Sequence, residues 1–411
     1  MAANGQTGCF APVSIKGKVV VANDPATPIA GAHVVARDDN GAAAANVAIT
    51  ATDGTYSLTV PAPRDANGLP VSTHYTLRAD ASGYETFPSG LRVALPIDVN
   101  TAAGTPLAVE NAATTIGLFR LAGTGFGSIS GTVKAENPGG VLVVADDGTA
   151  HQSGISDKQG TYTIFNLLAG AYDVRGYAGG LNLAPAQAAV TASSETKGID
   201  LSFATPALGA VNGNVSIVNA PGGSVTSIVL AVESTFNENL ARGEVPRGLR
   251  AGDVSGAFTL SGVPDGRYVI LAAFENDKLV RDPDTSLGNT ATLHVTVAGA
   301  SLDAGNFKIT EAIAVVAPGA AAADVISSPP TFEWADDSSE DHYEVHVFDT
   351  FGTEIWGDAN VPSPKGGMTV SAVYGGPALA SGQYYQFRAT SMKGTLPLTR
   401  TEDLLGVFVA R

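Results

Sequence analysis

The stretch that most constrains this chain is Asp157-Lys158-Gln159-Gly160-Thr161-Tyr162-Thr163-Ile164, continuing as Phe165-Asn166-Leu167-Leu168-Ala169-Gly170-Ala171-Tyr172-Asp173-Val174. Asp and Gly three residues apart set a tight turn: the carboxylate bonds the backbone just ahead, and Gly supplies the unusual dihedral. Tyr162 and Ile164, then Tyr172 and Val174, alternate on either side of a second turn at Ala169-Gly170. Two alternating runs joined by a short turn read as a β-hairpin with one buried face.

The phrase recurs. It stands as Asp53-Gly54-Thr55-Tyr56-Ser57-Leu58 and as Asp253-Val254-Ser255-Gly256-Ala257-Phe258-Thr259-Leu260, the latter running on to Gly266-Arg267-Tyr268-Val269-Ile270. The anchoring aspartates lie about 100 residues apart, the size of one β-sandwich. Each copy follows a strand with a central glycine: Ile15-Lys16-Gly17-Lys18-Val19, Ile129-Ser130-Gly131-Thr132-Val133 and Val211-Asn212-Gly213-Asn214-Val215. Asp53, Asp157 and Asp253 are therefore expected to form turns rather than do catalysis.

The closing stretch differs. Phe332-Glu333-Trp334, Tyr343-Glu344-Val345-His346-Val347, Tyr384-Tyr385-Gln386-Phe387 and Val407-Phe408-Val409 read as strands around large aromatics. No segment keeps helical periodicity over three turns, and Gly (48) and Pro (23) are frequent enough to punctuate many short strands. The expectation is an all-β tandem array of four sandwiches, at 10–121, 127–205, 209–311 and 324–411. Linkers are expected near 122–127 and 206–209, and most clearly over the Ala-rich 317–323. Residues 100–110 read as a loop before a last strand at 113–121. Residues 234–252, with three arginines, read as an insertion in the third unit.

The first three units resemble carboxypeptidase-regulatory-like domains, transthyretin-like sandwiches related to CnaB repeats. The resemblance rests on G-x-V, D-x-x-G-x-Y/F-x-L and G-x-Y-x-V/L, and spans roughly 10–311. The closing unit is similar to a fibronectin type III domain, through Trp334, Tyr343-x-Val345-x-Val347 and Gly382-x-Tyr384. Both resemblances imply stalks, spacers or binding modules of secreted or surface proteins, and neither implies catalysis. Some CnaB relatives carry a Lys–Asn isopeptide assisted by a buried acid. Here Lys16 and Lys18 lack a central Glu, Lys134 has only Asp173, and Glu275 has no Lys in its first strand, so no such bond is expected.

A net charge of −16 disfavours nucleic acid and anionic membranes as partners. One cysteine, Cys9, excludes an internal disulfide framework. Met1 to Gly8 lack the charged start and apolar middle of a signal peptide, and no apolar run reaches transmembrane length. Gly8-Cys9 is reminiscent of a lipoprotein site, but without the apolar run that such a site needs.

Candidate chemistry is sparse. His342, Glu344 and His346 share one strand face, with Asp341 adjacent, and could ligate zinc; the solvent-facing side of a sandwich strand whose other side is core is the simpler account. Asp336, Asp337, Glu340 and Asp341, and Asp282 with Asp284, could offer calcium oxygens but lack EF-hand spacing. Gly123-x-Gly125-x-Gly127 enters a strand rather than a helix, which removes the phosphate-cradling mechanism. Ser194-Glu195-Thr196-Lys197 fits S-x-x-K without a helix to present it, and Asn214-Val215-Ser216 is a sequon lying in a strand. No catalytic, cofactor or metal residue is assigned. The chain is expected to be a non-catalytic rod, secreted or on the cell surface, that binds protein or carbohydrate through loops, with Trp356, 336–341 and 234–252 as first candidates. The alternatives are accessory modules of an extracellular hydrolase and a calcium- or zinc-dependent binding protein.

Overall fold

The computed structural model describes residues 10–39, 41–205, 207–273, 277–283, 292–327, 329–364 and 368–411. Cys9, Glu275, Asp284 and Pro206 lie outside them. The chain is all-β. Its helical pieces among the described residues are three single turns, Val99–Thr101, Ala112–Thr114 and Glu233–Thr235. No helix is long and apolar enough to cross a membrane.

Among the described residues, eight sheets follow one another in pairs. In the first pair, the twelve-residue strand Phe10–Val21 runs antiparallel to Thr55–Pro63 and parallel to Thr115–Leu118. The facing sheet holds Ala48–Ile49, His33–Arg37, His74–Asp80 and Ile97–Asp98. Alternate residues of both sheets, among them Ile15, Val19, Tyr56 and Leu58 against Val34, Ala36, Tyr75 and Leu77, close a single core. Each such fully buried aliphatic or aromatic side chain contributes roughly 1.5–3 kcal/mol. The loop expected over 100–110 contains a short strand, Ala108–Val109, parallel to Ser14 and Ile15.

The second and third pairs repeat the plan. Gly127–Lys134 lies between Thr161–Leu167 and the parallel Glu195–Thr196, opposite a sheet of His151–Ile155, Leu142–Asp146, Gly170–Tyr177 and Ala186–Val190. Gly209–Val218 lies between Ala257–Val263 and the parallel Ser301–Glu311, opposite Arg250–Val254, Thr226–Val232, Gly266–Ala272 and Leu293–Val297.

The repeated phrase is not a hairpin. Thr161–Leu167 pairs with Gly127–Lys134, whereas Gly170–Tyr177 pairs with Leu142–Asp146 in the opposite sheet. Ala257–Val263 and Gly266–Ala272 part in the same way, as do Thr55–Pro63 and His74–Asp80. The turn is a corner that carries the chain across the core. Both strands point their alternate residues into the same core, so period-two apolarity is identical for a hairpin and for a corner. A tyrosine marks each corner: Tyr172 donates to Leu168 O at 3.0 Å, Tyr268 to Pro264 O at 2.9 Å and Tyr75 to Pro61 O at 2.6 Å.

The closing pair sets Val315–Ala317, Thr331–Ala335 and Thr369–Val373 against Asp324–Ile326, Val407–Ala410, Tyr384–Lys393, His342–Asp349 and Glu354–Pro362. Its core is aromatic, with Phe332 stacked on Phe387 at 4.8 Å and Trp334 edge-on to Tyr343 at 5.5 Å. The linker expected at 317–323 begins inside this sandwich and is exposed only over 320–323. Val315 and Ala317 pair with Trp334 and Glu333, Ile313 lies in the core, and Gly319 bonds Asp324 and Gly406. A run of small residues reads as a linker by composition, yet small side chains are also what a tightly covered edge strand accommodates.

The chain divides into two compact units. One comprises Met1–Ser89, Val93–Ala178 and Leu183–Ala204; the other comprises Gly90–Arg92, Gly179–Asn182 and Thr205–Arg411.

Candidate functional site

Within the first unit, Asn166 has a left-handed backbone, φ 65°, at the corner that follows Ile164. This aims its amide at the loop after His74–Asp80: Nδ2 donates to Ala81 O at 3.1 Å and Tyr84 O at 2.6 Å, and Oδ1 accepts from Gly83 N at 2.7 Å. Arg78, 1% exposed, holds Asp80 through two 3.0 Å bonds and donates onward to Ser153 O and Oγ. His33 packs edge-on against Phe165, and burial lowers its pKa. A chain of side-chain-to-backbone bonds thus ties the second sandwich to the first.

Within the second unit, the 234–252 insertion does the same work. Arg388 donates to Asn239 O and Leu240 O, both at 2.8 Å. Arg242 donates to Asp403 O at 2.8 Å, and Asn239 Nδ2 to Gly352 O at 3.0 Å. The Asp403 carboxylate lies 3.6 Å from Arg388 and 3.7 Å from Arg400. Burial lowers Arg388 and brings Arg242 down to about 10, with Asp403 opposing both shifts. The insertion looked like an exposed basic loop because arginines are usually exposed; here Arg242 of the insertion and Arg388 of the closing sandwich reach backbone carbonyls on opposite sides of one junction.

A cavity of about 660 Å³ opens in this unit. One wall carries Asp282, Lys308, Thr310 and Glu311, and the other carries Asp336, Asp337 and Ser339. The two acidic stretches singled out in the sequence therefore meet. Asp282 is ion-paired to Lys308 at 2.6 Å, Asp336 accepts from the Tyr343 hydroxyl at 2.9 Å, and Asp337 accepts from Ser391 Oγ at 2.8 Å. These carboxylates are held by protein donors. Among the described residues, no group of three or more His, Cys, Asp or Glu is arranged to hold a metal.

The remaining candidates fall apart spatially or structurally. His346 Nδ1 bonds Glu354 Oε1 at 2.8 Å, and its Nε2 lies 3.9 Å from Glu344. Asp341 accepts from Gly394 N at 2.9 Å. Trp356 packs against Tyr374 at 5.3 Å as part of the closing core's rim. Glu195 accepts from Ser130 at 2.6 Å and pairs with Lys197 at 3.2 Å. Lys134 pairs with Asp200 at 2.7 Å, and Asn214 bonds Asn306 at 2.8 Å. Asp53 and Asp157 accept from the backbone of Thr55 (3.1 Å) and Thr161 (2.9 Å), whereas Asp253 takes φ 53° instead. Sequence reading missed His294, whose two ring nitrogens meet Glu233 at 2.7 Å and Glu238 at 3.0 Å, raising its pKa. Nothing in the spacing of these three residues announces that cluster.

No family model matches the chain, and no curated protein does. Solved structures similar to it include the Bacillus anthracis TIE protein, 11% identical, covering 100% of this chain and 75% of that one, TM-score 0.17. The minor pilin of Streptococcus agalactiae is 13% identical over 46% of this chain and 98% of that one, TM-score 0.19. The shaft pilin of Lactobacillus rhamnosus GG is 11% identical over 48% and 98%, TM-score 0.19.

Proposed function

We propose that this chain is a non-catalytic structural protein, secreted or on the cell surface, built from four β-sandwiches in series. The observation that carries the reading is where its buried and half-buried polar side chains are spent. Arg388 and Arg242 in one unit, and Asn166 and Arg78 in the other, donate to backbone carbonyls of an adjoining sandwich. Catalysis needs a base or nucleophile within hydrogen-bond reach of a second reacting group in an accessible pocket. The residue types that could serve instead brace strands and corners. The resemblance of the units to regulatory-like and fibronectin-like modules supports a spacer role and a surface location. Contact with a protein or carbohydrate partner is assigned to exposed end loops, which tolerate change without disturbing a core.

The test is an activity screen on peptides, esters and glycosides, with and without zinc or calcium, beside the variant His346→Ala. No turnover is expected under any condition. Turnover abolished by His346→Ala would replace this reading with a metalloenzyme.

A further inference from the structure

We propose that Glu402 is a pH-sensitive latch that holds the turn at Asp277-Lys278 of the third sandwich against the closing sandwich while protonated, and loosens it when ionised. Glu402 is 2% exposed. Its Oε1 accepts from the Lys278 backbone N–H, and its Oε2 is buried with no hydrogen-bond partner. Lys278 adopts φ 67°, a left-handed conformation that L-residues rarely take, and this turns its amide toward the carboxyl.

The surroundings favour the neutral form. From the third sandwich Asp277 faces Glu402, while the Lys278 backbone N–H and, more weakly, its ammonium favour the carboxylate; from its own segment Asp403 faces it, and burial outweighs the N–H bond. Asp403 is itself engaged by Arg388 and Arg400, and its backbone carbonyl by Arg242, so the nearest arginines are committed elsewhere. A buried carboxylate with one bare oxygen and two acidic neighbours is costly, whereas a neutral carboxyl in the same place is far less so. Burial first, then Asp277 and Asp403, push the group up to about 7. The folded value lies above the unfolded one, so the latch contributes fully at low pH and is lost as pH rises through about 7.

The turn is well placed to transmit the change. Asp277 bonds Thr226 Oγ1 at 2.8 Å and Leu279 N at 3.0 Å, and Lys278 O accepts from Ala312 N at 2.9 Å. The carbonyl of Arg400, two residues before Glu402, accepts from Ile313 N at 2.9 Å. Releasing Glu402 therefore frees both ends of the Ala312–Ile313 connection at once.

The experiment is hydrogen exchange on the full chain at about pH 5.5 and about pH 8.5, corrected for intrinsic rates. It is run on His294→Gln and on His294→Gln/Glu402→Gln, because His294 also titrates in this sandwich. Protection of 277–281 and 396–405 should fall about tenfold or more at the higher pH in the single variant, which keeps Glu402, a factor equal to about one pKa unit. It should stay level in the double variant, where the carboxyl is replaced by an amide that does not titrate. Equal pH dependence in both chains, or none in either, overturns the latch. If Glu402→Gln does not fold, infrared spectroscopy of the Glu402 chain decides. A protonated-carboxyl band titrating near 7 supports the latch, and its absence at pH values above the ordinary carboxylate range rules it out.

Discussion

Gly131 stands directly opposite Tyr162, and the Tyr162 hydroxyl donates to the Ile199 carbonyl in the space that a side chain on Gly131 would fill. A Cβ there would lie 2.0 Å from Ile199 O and 3.1 Å from the hydroxyl. The first sandwich repeats the arrangement: Gly17 faces Tyr56, whose hydroxyl donates to Thr114 O at 2.7 Å, and a Cβ would meet that oxygen at 1.9 Å. In the third, Phe258 faces Gly213, and its ring comes within 2.6 Å of a built Cβ. The glycine of one strand and the aromatic of the repeated phrase are one device, a tyrosine or phenylalanine seated where only glycine leaves room.

Gly131→Ala should therefore destabilise the first unit by about 2 kcal/mol or more, because the obstruction is backbone and cannot rotate away. Tyr162→Phe should cost about 1–3 kcal/mol by leaving the Ile199 carbonyl unpaired. Gly222→Ala, with nothing within 4 Å of a built Cβ, is the control. Urea midpoints of the three variants provide the comparison.

Arg388→Ala removes both donors to the 234–252 insertion and one cation beside Asp403. A loss of about 3 kcal/mol is expected. Arg388→Lys should not restore it, because a single ammonium cannot span two carbonyls. Protease sensitivity within 234–252 is the second readout, rising in both variants.

His294 gives the third sandwich a further pH dependence. Its pKa is raised by Glu233 and Glu238, so its stabilisation is present below the unfolded value of 6.5 and fades as pH climbs through the higher folded value. The ring is 43% exposed, which keeps the effect below about 1 kcal/mol. Thermal melts of His294→Gln should lose this slope between neutral and mildly alkaline pH.

The Lys308–Asp282 contact is the best-buried ammonium–carboxylate pair among the described residues, with side chains 15% and 5% exposed. It is expected to remain an ion pair. Intact mass spectrometry should return the sequence mass, and a loss of ammonia or water would reveal a covalent cross-link instead.

The sequence announced the sandwiches because Asp-Gly turns and alternating aromatics are local signals. It did not announce the corner after Ile164, since Tyr162 and Tyr172 point into one core whether their strands pair or face each other. Nor did it reveal that Arg242 and Arg388 are half-buried and engaged, because their partners are the carbonyls of Asp403 and of Asn239 and Leu240, groups every residue carries. The meeting of Asp282 with Asp336 and Asp337 depends on how two sandwiches pack, which no spacing encodes. Glu402 was invisible for the same reason, and His294 because Glu233 and Glu238 reach it from a distant part of the same sandwich.

Limited proteolysis followed by native mass spectrometry tests most directly the claim that the sandwiches within each unit are braced against one another. Thr205, Ala207 and Leu208 are exposed, so the first productive cut should fall there and leave two fragments that are not cleaved further. Residues 320–323 are also exposed. A nick there should release nothing, because Val315–Ala317 and Asp324–Ile326 are both paired into the closing sandwich. Two fragments that resist further cleavage are the predicted result. Early cleavage at Leu168-Ala169, inside the corner, or release of a free closing sandwich from the nick at 320–323, would contradict the account.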